Sequence, residues 1–488
     1  MNNSNTIGGD FPVQIYNSLS GRKELLESIV PEKISIYVCG MTVYDYCHIG
    51  HARVLVVFDV LVRYLRSLGV EVTYARNITD VDDKIISRAQ ELGVKEEGIT
   101  EQFIRAMHED EKVLNIVKPD KEPRATMYMR EIIELIKKLV ELGFAYQGKT
   151  GDVYFRIRRF QDYGKLSKRS LDQLSSGSRV EINEDKDDPL DFVLWKTHKK
   201  GEPFWESPWG RGRPGWHIEC SAMSMSCLGR QFDIHAGGMD LKFPHHENEI
   251  AQSEAYTGKK FVNYWMHNGY VEINAEKMSK SVGNFFTIRE ILKQDISQAR
   301  MGEVIRFMML ASHYRSPLNF SNQAIENSRA GLIRLYRVLD KIGVSGAKDS
   351  SDTRINQQWN SFHIAMSDDQ NTPEALSVLF DLAKQANRLW DAGKQADARA
   401  LSDQMSVLGN ILGLLYQNPQ HFLQGLNDPG QFEPNKLNQK EIERLIEMRL
   451  MARRMNDWNK ADQIRDSLRK QGILLEDKSD GTTIWRAS

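Results

Sequence analysis

The sequence predicts an α/β protein. A parallel sheet with crossover helices is split by an insertion, then followed by a helical bundle and a small C-terminal domain. Three observations predict this. A strand pattern, Ile34 to Val38, turns through Gly40 into a helical pattern marked by Val54, Phe58, Val62 and Leu65. Strand and helix patterns then alternate to about Arg124, and the alternation resumes near Phe232 after a stretch of different character. From Ile288 to Tyr416 the pattern is helical, and a stretch rich in Pro, Gly, Asn and Gln, Gln417 to Pro434, reads as a linker before a short tail.

Taken in order, residues 1–30 read as a leader with a first hairpin. Residues 31–124 hold the first half of the sheet, with a second strand at Val70 to Thr79 and helices at Asp82 to Leu92 and Glu97 to Leu114. Residues 125–210 form the insertion. It has a helix over Met127 to Leu142, short strands at Gly151 to Ile157 and Phe192 to Lys196, and an exposed polar loop from Gly164 to Asp188. Residues 211–287 resume the sheet, with the strand–helix rhythm returning around Phe232 to Asp240, a helix opening after Pro244, and a strand at Asn268 to Ile273. Helices fill 288–335, and a helical bundle with its linker fills 336–434; the helices include Ala324 to Ile342, Gln357 to Ser367 and Thr372 to Ala392. Residues 435–488 carry a helix pair, then a strand pair at Gly472 to Asp477 and Gly481 to Trp485.

Composition narrows the function. Lys plus Arg total 65 and Asp plus Glu total 66, so a nucleic-acid site has to be a local patch. Four cysteines in 488 residues do not make a disulfide scaffold, and read better as ligands or core residues in a reducing compartment. The first ten residues lack the basic and apolar regions of a signal peptide, and the apolar run Val54 to Val62 is broken by Asp59. The expectation is a cytoplasmic protein with no membrane partner.

The chemistry starts at His48-Ile-Gly-His51. A strand entering a helix N-terminus leaves amide N–H groups without internal partners, which makes an anion site. Two imidazoles add donors there, and Gly50 allows close approach, so a triphosphate is the expected occupant. Lys277-Met-Ser-Lys280-Ser, followed by Gly283, reads as a cationic loop able to grip a pyrophosphate, or as an ordinary solvated loop. Gly238 with Asp240 after a strand suits a nucleotide ribose, or is a capped glycine turn.

Cys39, Cys220 and the segment Pro244-His-His-Glu-Asn-Glu249 offer metal ligands. His245 and Glu249 lie four apart and face the same way, and two thiolates, an imidazole and a carboxylate suit tetrahedral zinc. His246 and Glu247 compete for the same role, and buried apolar cysteines beside a solvated helix start are the alternative reading of the pattern. Asp80, Asp82 and Asp83 read as a turn and helix cap rather than a magnesium site. In the tail, Trp458 sits among Arg449, Arg453, Arg454, Lys460 and Arg465, with acidic residues between. This suits a single-stranded RNA loop or a helix laced by ion pairs.

With these residues in view, the chain resembles the class I aminoacyl-tRNA synthetases, whose two signatures match His48–His51 and Lys277–Ser281 in the same order. Within the class it is similar to the cysteinyl-tRNA synthetase family. That likeness rests on Tyr37-Val-Cys-Gly-Met-Thr-Val-Tyr-Asp45, Pro214-Gly-Trp-His-Ile-Glu-Cys220, Phe243-Pro-His-His-Glu-Asn-Glu249 and Asp368-Asp-Gln-Asn-Thr-Pro373. The resemblance runs from about residue 12 to 486; Gln370 departs from it, standing where the family leads one to expect an acidic residue.

The resemblance implies a Rossmann-like class I fold, with 288–335 contacting a tRNA stem and 435–488 binding an anticodon. It implies one zinc on Cys39, Cys220, His245 and Glu249, and Mg²⁺ accompanying ATP. His48, His51, Lys277 and Lys280 become the catalytic set, and Gly238 and Asp240 join His48, His51 and Lys280 on ATP. Cys39, Gly40, Thr42, Thr79 and Trp216 fall to the amino acid, and Arg453, Trp458, Asp462 and Asp477 to the anticodon. The implied partners are L-cysteine, ATP and tRNA-Cys, and the implied state is a monomer. A cysteine–amino-sugar ligase and a catalytically dead relative are the alternatives; the tail argues against the first and the two intact signatures against the second.

Overall fold

The computed structural model describes residues 5–173, 185–273, 276–277, 285–295, 297–345, 357–425, 439–471, 473–477 and 482–487. Its centre is a parallel sheet of four strands. From one edge they run β10 (Val262–Asn268), β9 (Phe232–Gly238), β3 (Lys33–Val38) and β4 (Glu71–Arg76).

Alternation along β3 explains the layering. Ile34, Ile36 and Val38 enter the core shared with α1 (Ile49–Ser67) and the helices that follow the sheet. Tyr37 and Cys39 enter a second core with α4 (Met129–Glu141), α5 (Trp216–Leu228) and α6 (Glu247–Thr257). Successive side chains of a strand point to opposite faces, so one strand feeds two hydrophobic cores. α2 (Asp83–Leu92) begins on the Asp82 cap and ends at Gly93 in the left-handed region, while α3 (Glu96–Val113) packs on α2 and the first core. Asp82 accepts from the Lys84 amide, Asp80 from Thr126, and Asp83 pairs with Lys196 and Arg213, so these three carboxylates are structural as expected.

The sequence reading misses β10. That strand is buried along nearly all its length, so it shows no alternation, and the expected strand at Asn268 to Ile273 lies one turn too late. Val271–Ile273 (β11) leaves the main sheet and pairs instead with Glu276–Lys277 (β12) and Leu318–Phe320 (β13). The exposed edge of β10 is covered by the N-terminal hairpin, β1 (Gln14–Asn17) with β2 (Arg22–Leu25): the Ser18 amide donates to the Trp265 carbonyl, and the Trp265 amide donates to Asn17.

The insertion is an antiparallel sheet of Ala145–Gln147 (β5), Val153–Phe155 (β6), Phe192–Thr197 (β7) and Gly212–Pro214 (β8). After the sheet come α7 (Ile288–Leu292), α8 (Gln298–Leu310) and α9 (Asn322–Ile342), then α10 (Gln357–Ser367), α11 (Thr372–Asp391) and α12 (Gln395–Ile411). The expected linker is corrected over its first part. Pro419–Gln424 forms α13, capped by Asn418, and Phe422 stacks on Tyr336 at 3.8 Å between ring centroids. The rest of that stretch, 426–434, and most of the expected polar loop, 174–184, lie outside the described residues. In the tail, α14 (Gln439–Arg454) and α15 (Trp458–Lys470) pack with the antiparallel pair β14 (Ile473–Asp477) and β15 (Thr483–Ala487) around Ile446, Leu468 and Trp485. Among the described residues, no helix is long and apolar enough to cross a membrane.

Candidate active site and metal cluster

At the C-terminal ends of β3, β9 and β10 opens a cleft of about 430 Å³. Cys39, Gly40, Thr42, His48, His51, Trp216, Gly238 and Asp240 all line it, as do Asn268, Gly269 and Phe285. Ligands of open α/β sheets bind outside the carboxyl ends of strands.

His48 caps α1. Its Nδ1 accepts from the Gly50 amide at 3.1 Å and the His51 amide at 3.3 Å, and His51 Nδ1 accepts from the His48 amide at 3.3 Å. The two rings stack 3.6 Å apart. An Nδ1 that accepts fixes the neutral tautomer with hydrogen on Nε2, so both imidazoles carry their donor on the ring's far side. No acidic residue occupies the first turn, so the positive helix end stays unneutralised. Gly40 is required where it stands, because a Cβ there would lie 1.7 Å from the Asn77 carbonyl. Its amide donates to Asn77 Oδ1 at 2.9 Å, a partner the sequence reading missed.

At the floor of the cleft, one ligand atom from each of Cys39, Cys220, His245 and Glu249 lies within 4.8 Å of the others, all buried. The sulfurs are 3.8 Å apart, Cys39 Sγ is 3.5 Å from Glu249 Oε1, and His245 Nε2 is 3.1 Å from that oxygen. The helix reading survives with a change: Lys242–His246 is an irregular wide turn, α6 starts at Glu247, and His245 still meets Glu249. Glu247, a competitor by sequence, faces away and accepts from the amides of Gly164, Leu166 and Ser167.

His246 also lies near, and a second quartet of Cys39, His235, His246 and Glu249 meets the same distance test. The first quartet suits a thiophilic metal better because it holds two sulfurs, Cys39 and Cys220, where the second holds one. The ring partners do not separate them: His245 Nδ1 meets His217 Nδ1 at 2.9 Å and His246 Nδ1 meets His267 Nε2 at 2.8 Å, while Glu249 engages His245 Nε2 at 3.1 Å in the first and His235 Nε2 at 2.9 Å in the second. His217 and His235 were missed in the sequence, where no spacing marks them.

Burial pushes the Cys39 thiol well up, while the hydrogen bond from Cys39 brings Cys220 down to about 6. Burial raises Glu249 as well, but His235 and His245 outweigh it and hold the carboxyl at about 2. Anionic sulfur and oxygen donors in a buried spot are costly alone and suited to a dication. Trp216 lies over His245 at 4.3 Å between centroids, forming a wall between the cluster and the cleft.

Thr79 does not line the cleft. It is buried behind Thr42, its amide bonded to the Met41 carbonyl and its carbonyl to the Val43 amide. Asp240 is exposed at the rim. Lys277 falls in β12, and its side chain and all of Lys280 lie outside the described residues.

In the tail, Asp477 receives Arg449 at 2.8 and 2.9 Å and Arg453 at 2.7 Å. The Arg449 hydrogen bonds hold its carboxyl well below the usual range. Asp462 pairs with Arg465 at 3.0 Å, and Trp458 is 57% exposed at the start of α15. Ion pairs thus build the helix faces, and an uncovered indole stands beside them.

Residues 25–330 match the tRNA synthetases class I (C) catalytic domain, 361–417 the DALR domain, and 439–486 the cysteinyl-tRNA ligase anticodon binding domain. The chain belongs to the cysteinyl-tRNA synthetase family. It is 54% identical over 474 residues to the cysteine–tRNA ligase of Methylococcus capsulatus, covering 97% of this chain and 99% of that one. The Coxiella burnetii (strain RSA 493) ligase is 53% identical over 476 residues, again with 97% and 99% covered. Among solved structures, the Mycobacterium tuberculosis methionyl-tRNA synthetase with methionyl-adenylate superposes with a TM-score of 0.56 at 14% identity, covering 81% of this chain and 91% of that one. That likeness shows the class I fold.

Proposed function

We infer that this chain attaches L-cysteine to tRNA-Cys at the expense of ATP. The supporting observation is the placing of two features in one cleft: a helix N-terminus bearing two imidazole donors, and beside it a buried cluster with two sulfurs. In the first step cysteine's carboxylate attacks the α-phosphorus of ATP, the bond to the β-phosphate oxygen breaks, and pyrophosphate leaves. In the second, the terminal adenosine of the tRNA takes the cysteinyl group and AMP leaves.

The nucleophile of the first step is already ionised, so positioning and charge stabilisation carry catalysis. The His48 and His51 Nε2–H groups and the positive end of the α1 dipole hold the phosphates; the first-turn amides, expected from the sequence to be open, are already engaged, Ile49 by the Phe286 carbonyl and Gly50 and His51 by His48 Nδ1. Lys277 and Lys280 meet the leaving pyrophosphate, and Mg²⁺ arrives with ATP. Gly238 and Asp240 receive the ribose; Gly40, Thr42 and Trp216 frame the amino acid.

Cys39, Cys220, His245 and Glu249 would hold zinc. When bound, zinc favours sulfur over oxygen and lowers a thiol pKa from ~8.5, so it separates cysteine from serine, which a hydrocarbon pocket manages only about 100-fold. In the tail, Arg453, Trp458, Asp462 and Asp477 form the anticodon surface, with Trp458 offering a face for base stacking.

Cysteine-dependent ATP–pyrophosphate exchange, followed by charging of tRNA-Cys, tests the reading. Exchange and charging together are the expected result. Exchange without charging points to a cysteine ligase with another acceptor, and absence of both overturns the assignment.

A further inference from the structure

Arg53 follows His51 by two residues on α1 and is fully buried. Among the described residues it has no carboxylate partner. Its guanidinium donates instead to oxygens of one short segment: the carbonyl of Met309, those of His313 at 2.9 Å and Ser316 at 3.4 Å, and, at 3.5 Å, both the carbonyl and hydroxyl of Ser312. A buried cation with only neutral acceptors is costly unless its geometry is used. Met309 lies in the last turn of α8, where carbonyls lack internal partners and a cation is favoured by the helix dipole.

The segment that Arg53 grips lies behind two residues of the cleft lining, Gly269 and Tyr270. The Gly269 amide donates to the Tyr314 carbonyl at 2.8 Å, and the Leu318 amide donates to the Tyr270 carbonyl at 2.9 Å. Gly269 and Tyr270 line the same cleft as His48 and His51. The approach is close: a Cβ on Gly269 would lie 2.5 Å from the Ser316 carbonyl. From the other side the same turn is tied to the bundle, because Tyr314 Oη donates to Asp369 Oδ1 at 2.6 Å and Arg315 Nε to Asp369 Oδ2 at 2.7 Å. The turn at 313–316 is therefore held from α1 by Arg53 and from the α10–α11 connection by Asp369.

We propose that Arg53 is a positioning residue: by clamping the α1 N-terminal turns to the 309–316 turn, it sets the gap between the phosphate-binding imidazoles and the Gly269–Tyr270 wall, and so the fit of ATP. The inference rests on the reading that the α1 N-terminus holds ATP. It assigns no contact between Arg53 and substrate. It also gives Asp369, in the Asp368–Pro373 segment, a role in the same clamp, reached from the helical bundle.

The test uses the full-length protein with Arg53→Lys and Arg53→Met, and Asp369→Asn as the remote variant. ATP affinity is read by equilibrium dialysis without cysteine or tRNA, and exchange kinetics separately. A displacement of about 1 Å in a positioned site costs up to about 100-fold. The expected result for Arg53→Met is about 10-fold weaker ATP binding and a lower kcat, with zinc content and KM for cysteine unchanged. Arg53→Lys and Asp369→Asn show the same pattern at smaller size. Wild-type ATP affinity in a folded Arg53→Met or Arg53→Lys overturns the inference, as do ATP and cysteine losses in equal proportion that track the folded fraction. If Arg53→Met does not fold, Arg53→Lys decides by the same criteria. A wild-type protein that binds ATP but shows no cysteine-dependent exchange sinks the functional reading alone, and the ATP affinities of the variants still decide the role of Arg53.

Discussion

The two halves of the cleft are built in opposite ways. The α1 side, proposed for phosphate, is local: His48, Gly50 and His51 satisfy one another's backbone and ring atoms within a single helical turn. The cysteine side, proposed for metal, is convergent: Cys39, Cys220, His245 and Glu249 come from the end of β3, from α5, from the wide turn after β9, and from α6. A local site can survive loss of one member with its frame intact, because the helix still ends there. A convergent buried cluster cannot, since each departure leaves charged or polar atoms uncompensated in a dry interior.

Removing a ligand breaks the comparison hardest. Cys220→Ser is expected to lose zinc and to lower kcat/KM for cysteine by at least about 100-fold, since loss of an outer-shell partner alone costs about 10- to 100-fold in metal affinity or activity. Metal analysis and exchange kinetics check it, and retained zinc with normal cysteine KM contradicts the cluster assignment. Next in size is His51→Ala. Loss of one preorganised donor costs about 100- to 1,000-fold in kcat, and here zinc content is expected to stay unchanged. If the metal leaves with His51, the two halves are not separable.

Trp458→Ala bears on neither half. Loss of one stacked base costs about 1–3 kcal/mol, so the KM for tRNA rises roughly 5- to 150-fold while exchange in the absence of tRNA is untouched. An unchanged KM for tRNA removes Trp458 from the RNA surface.

The smallest effect contrasts two buried carboxylates. Glu249 is held down to about 2, as described, whereas burial pushes Glu303 up to about 7 despite hydrogen bonds from Leu415, Tyr336 and Gln417. Glu303 binds its proton more tightly folded than unfolded, so its contribution is full below the unfolded value near 4.5 and is lost as pH rises through about 7. Glu303→Gln is expected to flatten the fall of Tm between those limits, measured by calorimetry. An unchanged slope means another group, such as Asp110, which burial likewise pushes to about 7, carries the dependence.

The same contrast explains what could be read in advance. The α1 N-terminus was legible because its capping and glycine chemistry sit within four residues. The ligand set could be named in outline, but choosing His245 over His246 and Glu247 needed either the family likeness or the fold, since all three share one turn. His217, His235 and Asn77 carry no spacing signal and emerge only when distant strands meet. β10 escaped because a strand buried on both faces loses its alternation, and α13 because Asn, Pro and Gly cap a helix as readily as they make a linker. Arg53 stood in plain view beside His51, yet its acceptors lie more than 250 residues away.

The central claim is that the buried Cys39–Cys220–His245–Glu249 cluster recognises cysteine through a metal. The most direct measurement is zinc content and cysteine affinity in protein purified without chelator, then stripped, then reloaded. The expected result is about one zinc per chain, with cysteine affinity lost on stripping and restored by zinc while ATP affinity holds. Cysteine affinity that is indifferent to the metal would contradict the account.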